Sequence, residues 1–164
     1  MFAGIDLAAK EKNPSGACLL SGRRARCATL HSDGEIIAWA AAAKPALIAV
    51  DAPLSLPRKG SMRRIERELA ARGLRVLPLR GAMRALARRG MRLKKRLAGL
   101  KMHVIEVHPR SSLSAIRRAG RRVRFPAACR NEHERDAWLA ALTAKLFAEG
   151  GCELIGGAFA LPSA

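Results

Sequence analysis

The stretch FAGIDLA, residues 2–8, decides the fold: it is a short apolar run that ends in a carboxylate, Asp6. A run of this length and character favours a buried β-strand. A second stretch, ALIAVD at residues 46–51, is apolar at every position before its final Asp51. Continuous apolar character is typical of a strand that is covered on both faces. The sequence therefore predicts an α/β fold in which two central strands each end in an aspartate.

Three further strands complete a mixed five-stranded sheet in this prediction. The segments that predict them are ACLLSG (17–22), ARCATLH (25–31) and MHVIEV (102–107), and the last carries Glu106 near its end. Between ARCATLH and ALIAVD, Asp33 is expected to cap a helix that continues to about Lys44. The C-terminal segments CELIGG and AFALP predict a closing strand pair or a tail.

Helices are predicted before and after the strand MHVIEV (102–107), which carries Glu106. Two strongly basic helices, from Ser61 to Ala71 and from Ala82 to Leu100, form a basic helical insertion at about 58–101 in a single domain spanning 1–164. Asn131 is expected to cap a later helix that continues to about Glu149. That helix carries His133 and Asp136 three residues apart, which predicts that both lie on one face.

The charge distribution predicts a polyanionic partner. The formal net charge is +18, and residues 58–130 hold 23 Lys and Arg against three acids, so that segment alone carries +20 while the rest of the chain carries −2. A contiguous positive region attracts nucleic acid, DNA or RNA, at modest salt. The alternative is that the arginines reflect genome composition and are only solvated, but this does not explain the shortage of acids.

Cysteine spacing and hydropathy bear on the expected compartment. The four cysteines form no CxxC pair, which favours reduced thiols over a zinc ribbon or a disulfide framework. No apolar run approaches the roughly 20 residues of a membrane span. A cytoplasmic protein without membrane association is the resulting expectation.

The acids that follow apolar strands suggest a metal site. A carboxylate at the end of a buried run, such as Asp6 or Asp51, faces a desolvation cost unless it is paired or bound to cations. Salt bridges to arginine are one explanation. Binding of Mg²⁺ or Mn²⁺ is the preferred one, because hard cations favour carboxylate oxygens.

The order of five sequence blocks resembles a known family. The blocks are GIDLA (4–8), AVDAPLSLP (49–57), RRIEREL (63–69), VIEVHPRSS (104–112) and NEHERDAWLAAL (131–142). Together they are similar to the predicted nucleases of RNase H-like fold known as domain of unknown function 429. More distantly, they resemble the RuvC-type Holliday-junction resolvases and their YqgF relatives.

This resemblance implies a set of functional residues. Asp6, Asp51, Glu106 and Asp136 would be metal ligands, and His133 would occupy an accessory catalytic position. The sequence departs from the family pattern at Glu66 and at His108, where Asp and Tyr are expected, so a role for Glu66 is in doubt.

Arginines next to the acidic blocks are candidates for binding the substrate. Arg63, Arg67 and Arg110 are predicted to position phosphates, with charge balancing of the neighbouring acids as the alternative.

The sequence therefore predicts a metal-dependent nuclease that hydrolyses phosphodiester bonds. A nucleic-acid-binding protein without catalysis is the main rival. A phosphotransferase is disfavoured because the chain lacks a glycine-rich phosphate loop. A homodimer would suit a junction resolvase and stays open at this point.

Overall fold

The computed structural model describes residues 1–163, which form one mixed β-sheet with helices on both faces. The elements in chain order are β1 (Phe2–Asp6), β2 (Ser15–Ser21), β3 (Arg24–Leu30), α1 (Asp33–Ala43), β4 (Leu47–Asp51), α2 (Arg64–Ala71), α3 (Gly81–Gly99), β5 (Val104–Glu106), α4 (Pro109–Arg118), α5 (Glu132–Ala148), β6 (Cys152–Ile155) and β7 (Phe159–Pro162). The predicted α/β class and mixed sheet are confirmed. The described sheet has seven strands rather than five, because the C-terminal segments form the strand pair β6 and β7 at one edge.

Strand β1 lies near the middle of the sheet, whose order is β3-β2-β1-β4-β5-β7-β6. It pairs antiparallel with β2 and parallel with β4. The parallel register places Asp6 directly opposite Asp51. Since neighbouring strands are about 4.8 Å apart, this register brings the backbones of the two aspartates side by side at the carboxyl end of the sheet.

Side chains alternate between the two faces of β1 and β4, as the pleat requires. Ile5 and Val50 pack with α1 and α3 on one face. Ala49 packs against α5 on the other face, and Gly4 lies beneath the same helix. By the same alternation, Asp6 and Asp51 point to the side of the sheet that α5 covers.

Helix α5 lies directly on the backbone of β1 and β2. A Cβ atom added at Gly4 would lie 2.0 Å from the carbonyl oxygen of Ala137, and one added at Gly16 would lie 1.9 Å from the carbonyl oxygen of His133. Both distances are far below van der Waals contact. Only glycine at these two positions allows α5 to approach the sheet this closely.

Helix α3 is anchored to the opposite face by a buried arginine. Arg89 Nε donates to Asp33 Oδ1 over 2.7 Å, and its two remaining nitrogens donate to the carbonyl oxygens of Ala8 and His31. Asp33 was predicted to cap α1, but Ser32 is the N-cap residue and accepts a hydrogen bond from the backbone of Glu35. Asp33 instead compensates the charge of Arg89.

The remaining sequence predictions concern the basic segment, the cysteines and the membrane. Helices α2 and α3 lie close to their predicted bounds, although α2 begins three residues later; the domain division itself stays a prediction. All four cysteines are free thiols. Across residues 1–163, none of the helices has both the length and the apolar character that crossing a bilayer requires.

Replacing Arg89 with Met should destabilise the fold strongly. The substitution leaves Asp33 buried without a partner, and breaking such a pair costs about 3–5 kcal/mol. Urea unfolding measures the change. Arg88→Met, an exposed neighbour on the same helix, is the control and should shift the free energy of unfolding by less than about 0.5 kcal/mol. Similar unfolding curves for the two variants would contradict the anchoring role.

Replacing Gly4 with Ala should separate α5 from the sheet. Overpacking of this kind costs about 1–3 kcal/mol or more, and thermal unfolding monitored by circular dichroism measures it. Gly99→Ala is the matched control, because nothing lies within 4 Å of its added Cβ and alanine is the better helix former by up to about 1 kcal/mol. An unchanged Tm for Gly4→Ala would show that α5 can be displaced without cost.

Candidate active site

Asp6, at the end of β1, is in direct contact with the first turn of α5. Its Oδ2 lies 2.8 Å from Nδ1 of His133. Burial raises the pKa of Asp6 and outweighs the opposing effect of His133, while the charge of Glu132 raises the pKa further. The histidine therefore orients Asp6 without compensating its charge fully.

Asp51 carries the least compensated charge of the site. Protein atoms surround its carboxyl group densely, yet part of it remains accessible through a cavity. Burial raises the pKa of Asp51 well above its ordinary value, and the charges of Asp6, Asp136 and Glu106 raise it further. Arg110 opposes this shift from a distance, but within residues 1–163 no basic side chain forms an ion pair with Asp51.

Asp136 lies on α5, one turn after His133, and completes a group of three aspartates. The pKa of Asp136 is raised first by burial and then by the charge of Asp6. Asp6, Asp51 and Asp136 thus come from three separate elements and repel one another at one end of the sheet. The structure therefore places these three predicted ligands near one another at one end of the sheet, and their role as metal ligands stays a prediction.

The three aspartates lie near one another but do not surround a metal-binding position. Among residues 1–163, no three His, Cys, Asp or Glu side chains have the arrangement that would hold a metal ion. Asp6 is near enough to raise the pKa values of Asp51 and Asp136, and Asp136 raises that of Asp51, but the three do not form a set of ligands around one ion.

Glu106 lies close enough to raise the pKa of Asp51, but its side chain points to the other face of the sheet and bonds to protein groups. Its register partner on β4 is Val50, whose side chain belongs to the opposite face of the sheet. Glu106 Oε2 accepts hydrogen bonds from the backbone of Leu54 and from Arg63 Nη1, both over 2.8 Å. The carboxylate is therefore engaged by the protein itself.

The three arginines predicted to bind phosphate have different surroundings. Arg63 is buried between Glu66 and Glu106 and bonds to both, so its guanidinium is not available to a phosphate as predicted. Arg67 is exposed on α2 and donates to the carbonyl oxygen of Met62. Arg110 is exposed at the start of α4, and its charge lowers the pKa values of all three aspartates. Only Arg110 of the three faces the acidic group.

Two features of the site were not predicted from the sequence. Glu132, the first residue of α5, raises the pKa values of Asp6 and Asp136; its spacing of four residues from Asp136 could have indicated a shared face. The second feature is a cavity of about 480 Å³ that Asp51 borders. Much of its wall is residues 73–79, which have no periodic pattern that would have predicted it.

Residues 4–135 match the profile of a family described as "Protein of unknown function (DUF429)". The chain belongs to this family. The match includes Asp6, Asp51, Glu106 and His133 and ends one residue before Asp136. Membership of the DUF429 family, which the sequence blocks indicated, is confirmed.

Solved structures show the fold of this DUF429 protein. The structure of Thermus thermophilus RuvC superimposes with a TM-score of 0.52 at 16% identity, covering 97% of this chain and 98% of that chain. RuvC of T. thermophilus in complex with a Holliday junction substrate gives a TM-score of 0.47 at 19% identity, with the same coverage of both chains. Curated proteins gave no significant match. The RNase H-like fold and the distant similarity to RuvC are confirmed.

Replacing Asp51 with Asn should stabilise the metal-free DUF429 protein at neutral pH. The substitution removes a charge that burial and three neighbouring carboxylates disfavour. Because the pKa is raised in the folded state, the stability of the wild type falls as the pH rises from about 4 towards that raised pKa. The gain in Tm from the substitution should therefore be largest at high pH and shrink in acid.

Melting curves recorded with EDTA across pH 4–8, roughly the window above the ordinary carboxyl pKa, measure this gain. Glu11→Gln, in an exposed turn, changes the net charge equally and should leave the Tm unchanged. A lower Tm for Asp51→Asn at pH 8 than for the wild type would mean that the carboxylate has a compensating partner.

Proposed function

We propose that this protein hydrolyses phosphodiester bonds of nucleic acid, using divalent metal ions held by Asp6, Asp51 and Asp136. The observation that carries the proposal is that three neighbouring aspartates with raised pKa values form no ion pair with Lys or Arg, within residues 1–163, in a protein of net charge +18. In a protein with so many arginines, buried acids would be expected to form ion pairs with them, as Glu106 does with Arg63. Acids left uncompensated in a basic protein are suited to a cation.

The donor set fits Mg²⁺ or Mn²⁺ in its chemistry. Hard divalent ions take carboxylate oxygens, keep several waters and use substrate phosphates as further ligands. A few carboxylates that have not closed on one point are compatible with that mode of binding. When bound, such ions activate water and stabilise the leaving oxygen.

The chain's own residues have separate tasks in this proposal. Hydrolysis joins the oxygen of water to phosphorus, breaks one phosphorus–oxygen bond and delivers a proton to the leaving oxygen. With Asp6 ionised, His133 carries its proton on Nδ1, which leaves Nε2 free to accept a proton from the water. Arg110 binds the phosphate beside the aspartates.

Substrate binding away from the aspartates is assigned to the exposed face of α3. Its basic side chains on that face are Arg84, Arg88, Arg92, Lys95 and Arg96. Such a stripe binds the phosphate backbone without reading sequence. We expect affinity to fall steeply as salt is raised.

Asp6→Asn and Asp136→Asn should each abolish cleavage and leave nucleic-acid binding intact or tighter, because a repulsive charge is removed. The assay uses labelled branched, duplex, hybrid and single-stranded substrates with Mg²⁺ or Mn²⁺. Glu11→Gln serves again as the control of equal charge. Cleavage by both aspartate variants at the wild-type rate would refute the proposal.

Mn²⁺ should raise the Tm of the wild type, since a ligand that binds only the folded state stabilises it. The same titration should leave the Tm of Asp51→Asn almost unchanged, because one ligand is lost. Equal shifts for the two proteins would place the ion elsewhere.

A nucleic-acid-binding protein without catalysis is the second candidate. The observation that favours it is that the aspartates of residues 1–163 are not arranged around an ion. Such a protein would bind nucleic acid in a salt-dependent way and show neither metal-dependent stabilisation nor cleavage. A homodimer and a cytoplasmic location stay predictions from the sequence.

A further inference from the structure

A cavity beside Asp51 has no role in the hydrolysis step proposed above. Its volume is about 480 Å³, and Asp51 and His108 lie on its wall. It is bordered by α2, by residues 73–79 between α2 and α3, and by α4. A ligand in this cavity would therefore lie next to Asp51.

The interior of the cavity is mostly apolar. Leu74, Val76, Leu79, Leu86 and Phe159 contribute to its wall. The two glutamates on the wall add little negative charge, because Arg63 bonds to both of them. Away from Asp51, the interior thus favours an organic group without charge.

The mouth of the cavity is positive. Arg75, Arg110 and Arg118 line it and are exposed. Within residues 1–163, none of the three forms an ion pair. A ligand with an apolar ring and an adjoining phosphate matches this distribution of charge.

We propose that the cavity receives one unpaired nucleotide of the substrate strand. This inference rests on the function proposed above. It narrows the substrate to nucleic acid with an unpaired nucleotide at the cleavage site. A cavity of this size is in the range, about 300–1,000 Å³, that holds one small organic ligand. A base in a continuous duplex presents only its edges in the grooves. It can enter such a cavity only when it is single-stranded or turned out of the helix.

Two methionines of α3 provide a matched test. Met83 lines the cavity, whereas Met91 is exposed on the same helix outside it. Met83→Trp fills the cavity, and Met91→Trp makes the same change away from it. Both are made in an Asp6→Asn background with Mg²⁺, so that binding is measured without cleavage.

Fluorescence anisotropy gives the Kd for three probes of equal length: a single strand, a continuous duplex and a duplex with one bulged nucleotide. Met83→Trp should weaken binding of the single strand and of the bulged duplex at least about tenfold. Its binding of the continuous duplex, and all binding by Met91→Trp, should stay within about twofold of the parent. Equal affinity of the parent for bulged and continuous duplex, or unchanged binding by Met83→Trp, would overturn the proposal.

Arg118→Ala covers the case in which Met83→Trp does not fold. It should lower the affinity for the bulged duplex more than that for the continuous duplex, whereas Arg117→Ala, next to it and outside the cavity, should lower both equally. Equal ratios for the two variants would overturn the proposal.

Cleavage measured with Asp6 restored separates this proposal from the nuclease proposal. Selective binding that Met83→Trp abolishes, without cleavage of any probe by the wild type, would reject the nuclease and retain the cavity. Cleavage of continuous duplex that is undiminished in Met83→Trp would retain the nuclease and reject the cavity.

Discussion

The contact on which the site depends joins two backbones. Helix α5 rests on β1 and β2 at Gly4 and Gly16, where no side chain separates helix from sheet. This contact sets the height of the helix above the carboxyl end of β1, and it therefore determines that His133 reaches Asp6. The same closeness brings Asp136 into the field of Asp6. Side-chain packing elsewhere supports the sheet, but the geometry of the acidic group follows from these two glycines.

Buried arginines divide the acids of the protein into two kinds. Arg89 compensates Asp33 beneath α3, and Arg63 compensates Glu66 and Glu106 beneath α2. From composition alone, both arginines would be expected on the surface, but their charges are buried in these ion pairs. In the part of the chain that the structure describes, Asp6, Asp51 and Asp136 have no arginine bonded to them, and their charges repel one another. The contrast separates acids that hold the fold together from acids available to a cation.

The sequence predicted the site best where a single local pattern determines the structure. The apolar runs before Asp6 and Asp51, together with the cap and spacing of α5, carry enough information to place three aspartates at one end of a sheet. The direction of Glu106 depends on strand register instead, and MHVIEV is apolar on both faces, so its pattern does not tell one face from the other. Arg63 could not be recognised as buried because it is one of 23 basic residues in its segment. The cavity wall at 73–79 has no periodicity, and its shape follows only from tertiary packing.

The two glycines under α5 also determine how the molecule would respond to random mutagenesis. Any missense change at Gly4 or Gly16 introduces a Cβ into occupied space, so substitutions at either position should lower the fraction of folded protein. The exposed arginines of α3 can be exchanged with little effect on folding. A deep mutational scan scored for folding alone would therefore show that substitutions are poorly tolerated at the two glycines beneath α5 and well tolerated at the exposed arginines of α3. The positions most sensitive to substitution would thus carry no charge.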